Sequence, residues 1–109
     1  MSTRRMTVGA TGERVAACFL QRRGAAILDR NVRVGRDEVD LVIRLSAEVV
    51  AVEVKTGVGA DSRPWENFDE AKSVRTRRAA SMLGIGRIDL VTVELTVGGA
   101  AVRWLPDIG

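Results

Sequence analysis

The sequence predicts an α/β fold: a mixed central sheet flanked by two helices, in the order α-β-β-β-α-β-β. Three observations predict it. Two segments carry apolar residues at helical spacing, five short runs are extended and rich in Val, Ile and Leu, and the gaps at Ser46-Ala47 and Gly98-Gly99 are short enough for hairpins. A chain of 109 residues is one domain by size and should bury roughly 60–70% of the surface that it exposes when unfolded. Apolar residues at 46% and charged residues at 28% describe a folding globule rather than a disordered polymer.

Residues 1–8 carry Arg4 and Arg5 without periodicity and read as a flexible N-terminal arm, leaving 9–109 as the single domain. Over 11–23, Val15, Ala16, Phe19 and Leu20 fall on one helical stripe, with Thr11 a candidate cap and Gly24 a stop. Extended runs follow at 26–34, 39–45 and 49–56, separated by Gly35-Arg36 and Ser46-Ala47. The stretch 57–65, with two Gly, a Ser and a Pro, is a loop. The second helix spans 66–83. Glu66, Asp69 and Glu70 crowd its first turns while Arg75, Arg77 and Arg78 come later, as the helix dipole favours, and Gly84 and Gly86 end it. Residues 88–95 and 100–105 are the last two strands.

Composition excludes several chemistries. With no His and a single Cys there is no Ser-His-Asp triad, no His-ligated zinc, no Cys-cluster metal site and no internal disulfide. A hard cation held by carboxylates stays open. The apolar run 15–20 is short and preceded by Glu13 and Arg14, which suits neither a signal peptide nor a membrane span. A cytoplasmic location is the expectation, with Cys18 a buried thiol inside that run. The formal charge is +3, and the basic residues divide into 15 Arg and 2 Lys. Arginine's planar fork suits phosphate and favours an acidic partner, against the competing account of a biased genomic base composition.

The chemistry-bearing pattern lies on the second and third strands. In Val50-Ala51-Val52-Glu53-Val54-Lys55, period-two geometry puts the valines on one face and Glu53 with Lys55 on the other. Glu38 and Asp40 stand two residues apart before Leu41-Val42-Ile43, and a hairpin about Ser46-Ala47 sets Asp40 across from Glu53. Three carboxylates converging there repel one another unless a cation joins them, and oxygen-only ligands suit Mg²⁺ or Mn²⁺. Such an ion could polarise a phosphodiester oxygen and generate hydroxide, and Lys55 could hold the attacking water or stabilise charge developing on phosphorus. Glu70-Ala71-Lys72 repeats the spacing on a helix, where residues two apart do not face each other. The competing reading of the strand residues is a solvated face with cross-strand ion pairs.

The succession Gly12-Glu13-x-x-Ala16, Ile27-Leu28-Asp29-Arg30-Asn31-Val32-Arg33, Glu38-Val39-Asp40-Leu41-Val42 and Val52-Glu53-Val54-Lys55 resembles the bacterial YraN-like family of small endonuclease-like proteins. The resemblance continues through Ala71-Lys72 with Arg75, Arg87-Ile88-Asp89-Leu90-Val91 and Trp104-Leu105-Pro106-Asp107, spanning about residues 9–108. It implies the restriction-endonuclease-like core of the PD-(D/E)xK superfamily, helix, three strands, helix, strand. It further implies that Asp40 and Glu53 ligate the metal with the Val54 carbonyl, that Lys55 is the catalytic lysine, and that Glu13 is the helix carboxylate completing the site. The competing role for Glu13 is service to the helix dipole alone. One departure is Asp37, which stands where the family usually has Gly and adds a negative charge near the site.

Lys72 and Arg75 fall inside the arc of Phe68, Ala71, Ala79 and Met82, the face expected on the sheet, so their heads either reach the phosphate and carboxylates or snorkel to water. With Glu38 they make a supporting set. Arg77, Arg78, Arg33 and Arg36 are the DNA-contacting candidates. Trp65 either stacks on an unpaired base or packs over a helix start, and Trp104 is core or interface. Gly9-x-x-Gly12 lacks the preceding strand of a phosphate loop. The leading expectation is a Mg²⁺- or Mn²⁺-dependent endonuclease acting on DNA, branched or damaged forms included, in a homodimer if both strands are cut. The rivals are a non-catalytic nucleic-acid-binding module assisting repair, recombination or uptake, and a structural or dimerisation protein.

Overall fold

Helix α1 (Val8–Arg22) opens the computed structural model, which describes residues 7–59 and 70–108, the side chains of 70–73 excepted. Its cap is Thr7, one turn before the expected Thr11. Thr7 is extended and its hydroxyl accepts from the Ala10 N–H at 3.1 Å, while the Thr11 hydroxyl donates to the Thr7 carbonyl at 3.0 Å from inside the helix. Gly12, Ala16, Ala17 and Leu20 are buried. Cys18 is exposed, contrary to expectation, because a six-residue run wraps more than one turn of helix and only part of it can face the core.

Strands β1 (Ala26–Val34), β2 (Asp37–Leu45), β3 (Glu48–Val58), β4 (Ile88–Thr96) and β5 (Gly99–Leu105) form one sheet in that spatial order. All neighbours are antiparallel except β3 and β4, whose parallel pairing requires the crossover helix α2 (Glu70–Met82). The expected element order is therefore borne out. Pairing of Val34 with Asp37 and of Leu45 with Glu48 leaves two-residue turns, entered by Gly35 and Ser46 at positive φ. The last turn is Val97-Gly98, one residue earlier than expected, and β3 continues through Gly57 and Val58, where a loop was expected. Residues 60–65 of that loop, Trp65 among them, Lys72's side chain, the expected start of the second helix at 66–69 and the arm before Thr7 lie outside the described residues.

Two clusters fill the two sides of the sheet. Val50, Val52, Val54, Val91 and Val93 pack with Ala16, Ala17 and Leu20 of α1. Ala51, Val42 and Ile88 pack with Ala79 and Ala80 of α2. The central strand is thus covered on both faces, as a parallel-paired strand requires. The face of α2 that packs is Thr76, Ala79 and Ala80, whereas Met82 is 71% exposed and Arg75 is exposed. Ala79 packs as expected, and the arc is corrected at Met82 and Arg75: the small residues let the helix lie close, and these two long side chains turn outward.

Two polar ties hold the ends. Asp89 is fully buried and accepts from Arg87 Nε at 2.9 Å and Nη2 at 3.0 Å, from the Trp104 indole N–H at 2.8 Å and from the Asp107 N–H at 2.8 Å. Arg87 also reaches Glu48 at 2.7 Å, so β3, β4, β5 and the C-terminal segment meet at one carboxylate. Asp37, also buried, takes a bidentate pair from Arg78 at 2.9 and 3.0 Å, tying the start of β2 to α2. The Arg78 hydrogen bonds hold the Asp37 carboxyl below its ordinary value.

Three outcomes follow. Asp89→Ala strands the Arg87, Trp104 and Asp107 donors together and should cost about 3–5 kcal/mol, read from denaturant midpoints. A Cβ at Gly12 would stand 2.7 Å from Thr56 Cβ and Cγ2, so Gly12→Ala must push α1 off β3 and should cost about 1–3 kcal/mol. Because the Asp37 pKa is lowered, its contribution is present above the unfolded value of 3.8 and is lost as pH falls through the folded one. Arg78→Gln should therefore lower the urea midpoint at pH 6, and the difference from wild type should close on acidification.

Candidate functional site

The pairing of β2 with β3 runs from Leu45↔Glu48 to Leu41↔Val52 and stops one step short of Asp40 and Glu53. Beyond that step the Asp40 carboxylate, through Oδ2, accepts the Val54 N–H at 2.8 Å. A backbone donor that has left the ladder is thus satisfied by a side chain. The alternation of β2 also breaks here. Leu41 and Ile43 belong to the α1-side cluster, while Val39 and Val42 belong to the α2-side cluster. The expected register is correct, and the irregularity at its end aims Asp40 into the site.

Carboxylate oxygens of Glu13, Glu38 and Asp40 lie within 4.8 Å of one another. Glu13 comes from the second turn of α1, directly after the Gly12 that lets the helix approach β3, and Glu38 and Asp40 come from β2. Desolvation first, then the charge of Glu38 and a smaller contribution from Glu53, push the Glu13 pKa up; its contacts with Asp40 and Asn31 pull the other way. Each pair of charges at this spacing repels by about 3 kcal/mol at an effective dielectric near 20. The donor set is oxygen only, which fits a hard divalent cation such as Mg²⁺ or Mn²⁺.

Glu53 is 1% exposed and faces α2, where one oxygen accepts from the Thr76 hydroxyl at 3.3 Å. It lies outside the mutual 4.8 Å set, in which Glu38, assigned a supporting role from sequence, stands instead. Glu38 and Asp40 of that set meet Glu53 at a cavity of about 230 Å³ lined also by Asp37, Thr76, Arg36 and Arg75, with Glu13 outside its lining. Lys55 follows Glu53 by two residues on the same face of β3, half-buried. Arg36 from the β1–β2 turn and Arg75 from α2 supply the cationic part of the lining.

Of the remaining basic candidates, Arg33 borders the carboxylate set through Glu38, while Arg77 and Arg78 stand on α2. Arg33 is a strongly exposed side chain 3.9 Å from Glu38, and Arg77 lines a separate cavity with Ser81 and Ile88. Arg78 is engaged by Asp37, so the negative charge expected to burden the site is neutralised on the α2 side. Asn31 is a site residue that sequence reasoning does not single out. It sits in β1 at φ 51, a conformation Asn tolerates better than most residues, and with its amide nitrogen turned inward it donates to Glu13 Oε2 and Glu38 Oε1 at 3.1 Å each. The signal for it is its place in an otherwise extended run, where Asn is a poor strand former.

Comparison with known proteins agrees with the resemblance carried by the motifs. The family described as "Uncharacterised protein family UPF0102" matches residues 12–93. A UPF0102 protein of Beutenbergia cavernae is 41% identical over 112 residues, covering 94% of this chain and 95% of that one. A UPF0102 protein of Anaeromyxobacter dehalogenans is 38% identical over 111 residues, covering 94% and 83%. Among solved structures, Pyrococcus furiosus SfsA in complex with Ca²⁺ superposes with a TM-score of 0.39 at 16% identity, covering 93% of this chain and 62% of that one. The chain belongs to the UPF0102 family, the YraN-like family whose motifs run through its sequence from Gly12 to Val93.

Proposed function

We propose that this chain is a metal-dependent endonuclease-like domain that hydrolyses DNA phosphodiester bonds at the acidic cavity between β2, β3 and α2, with Glu13 of α1 beside it. The observation that carries the reading is the convergence of Glu13, Glu38 and Asp40 oxygens within 4.8 Å, on elements distant in sequence, beside the buried Glu53. A fold that holds like charges together in this way spends stability, and a cation returns it.

Glu13, Glu38 and Asp40 would hold Mg²⁺ or Mn²⁺, with Glu53 and the Val54 carbonyl the further ligands that the family resemblance implies. When bound, such an ion supplies a polarised phosphoryl oxygen and a water acidic enough to act as nucleophile at neutral pH. The protein's own groups do the rest. The Val54 N–H fixes Asp40, and Asn31 keeps Glu13 and Glu38 together. Lys55 orients the attacking water or meets the charge that builds on phosphate. Arg36 and Arg75 grip phosphate oxygens at the cavity wall. The substrate is DNA, branched or damaged forms included, in the cytoplasm; no helix among the described residues is long and apolar enough to cross a membrane. Cleavage of both strands calls for a second copy of the chain.

The test is incubation with duplex, branched and single-stranded DNA and Mg²⁺ or Mn²⁺. Wild type should cut at least one form, and Asp40→Ala or Lys55→Ala should slow cutting by about 100-fold or more. Mn²⁺ should raise the melting temperature of wild type and leave that of Asp40→Ala unmoved, since only the native site binds it. Cutting that survives both substitutions sinks the reading, and binding without cutting under either cation leaves a recognition module of the same fold.

A further inference from the structure

A second feature lies on the opposite flank of α1. Arg14, Cys18 and Arg22 follow one another at four-residue intervals and form a stripe along the helix. With Arg23, Phe19 and Val102 of β5 they line a cavity of about 440 Å³, a volume within the usual range of ligand sites. The charged residues of its lining are all arginines, with no carboxylate among them. Arg23 is already placed: its guanidinium carbon lies 3.7 Å from the centre of the Phe19 ring, so little rotamer freedom remains to be surrendered on binding.

We infer that this α1–β5 cavity is a binding site for the sugar-phosphate backbone of a nucleic acid, separate from the acidic cluster. Arg14 directly follows Glu13, yet one helical step turns it by about 100°, so the cationic stripe and the carboxylates face different ways. Arg14 and Arg22 stand about 12 Å apart along the helix axis, and a DNA strand presents a phosphate roughly every 3.4 Å of its own axis. That spread suits successive phosphates of a polymer rather than one small anion. Val15, Ala100 and Val102 supply an apolar floor against which a sugar can lie, and Phe19 holds Arg23 at its edge. Charge complementarity selects this occupant, since the chain carries a net charge of +3. The inference rests on the reading of the chain as a nucleic-acid-acting domain and assigns it a binding surface beyond the cutting site.

The experiment measures binding of labelled duplex and single-stranded DNA by fluorescence anisotropy across a salt series in EDTA, for wild type, Arg22→Gln/Arg23→Gln and Asp40→Ala. The arginine variant should bind about tenfold more weakly or worse, with a salt slope reduced by about one for each phosphate that is no longer neutralised. Its melting temperature and Mn²⁺ affinity should match wild type, which shows that the fold and the acidic cluster are intact. In EDTA, Asp40→Ala should bind DNA at least as tightly as wild type, since it removes a negative charge from the acidic cluster and leaves the arginines in place. An arginine variant with wild-type affinity and slope overturns the inference, even where Asp40→Ala abolishes cutting and so upholds the catalytic reading. Weakened binding by the arginine variant in a protein that never cuts upholds the inference while the catalytic reading fails. A wild type that binds neither DNA at low salt, or one that dimerises through this face and dissociates in the variant, overturns it as well.

Discussion

One hydrogen bond organises this molecule: the Val54 N–H to the Asp40 carboxylate at 2.8 Å. Strands β2 and β3 pair normally up to Leu41 and Val52 and then separate. Separation leaves a main-chain donor that would be costly to bury alone, and a side chain from the departing strand satisfies it. The same event opens a gap in the sheet between two acidic strands. Glu38, Asp40 and Glu53 line the resulting cavity on the α2 side, while Glu13 of α1 approaches Glu38 and Asp40 from outside it.

Electrostatics around that gap are partitioned rather than diffuse. Glu13 bears the strain, its carboxyl pushed toward the neutral form by burial and by Glu38. Asp37, next to Glu38 in sequence, escapes it because Arg78 pairs with both of its oxygens. Asp89, buried with a full set of donors, faces Arg87 and Trp104 and ties strand ends together. Asp37 and Asp89 are structural by their partners. Asp40, with a backbone N–H on one oxygen and two other carboxylates nearby, sits where the local charge balance favours a cation.

The close approach of α1 to β3 rests on size. Gly12 is buried against Thr56, and Ala16 follows one turn on, so the helix lies nearer the strand than any larger residue would permit. Glu13 is carried into reach of β2 by that approach. The small residues of α2, Ala79 and Ala80, do the same on the opposite face, bringing Thr76 to Glu53. Packing of this kind couples the precision of the site to side chains that take no part in its chemistry.

Element order, the two faces of β3 and the β2–β3 register up to Leu41 and Val52 were legible in the sequence because each follows from local periodicity and turn length, which neighbouring residues alone determine. The motifs also pointed to Glu13 and Asp40, whose oxygens the fold brings together. What only the tertiary structure decided is how those groups are dealt out in space. Glu38 rather than Glu53 joins the tight triad, Asn31 bridges two of its members, Asp37 is taken by Arg78, and Cys18 and Arg75 turn to the surface. The physical reason is that periodicity names the face a residue occupies, whereas its partner across the gap depends on strand separation and helix depth, and those are set by contacts between segments far apart in the chain.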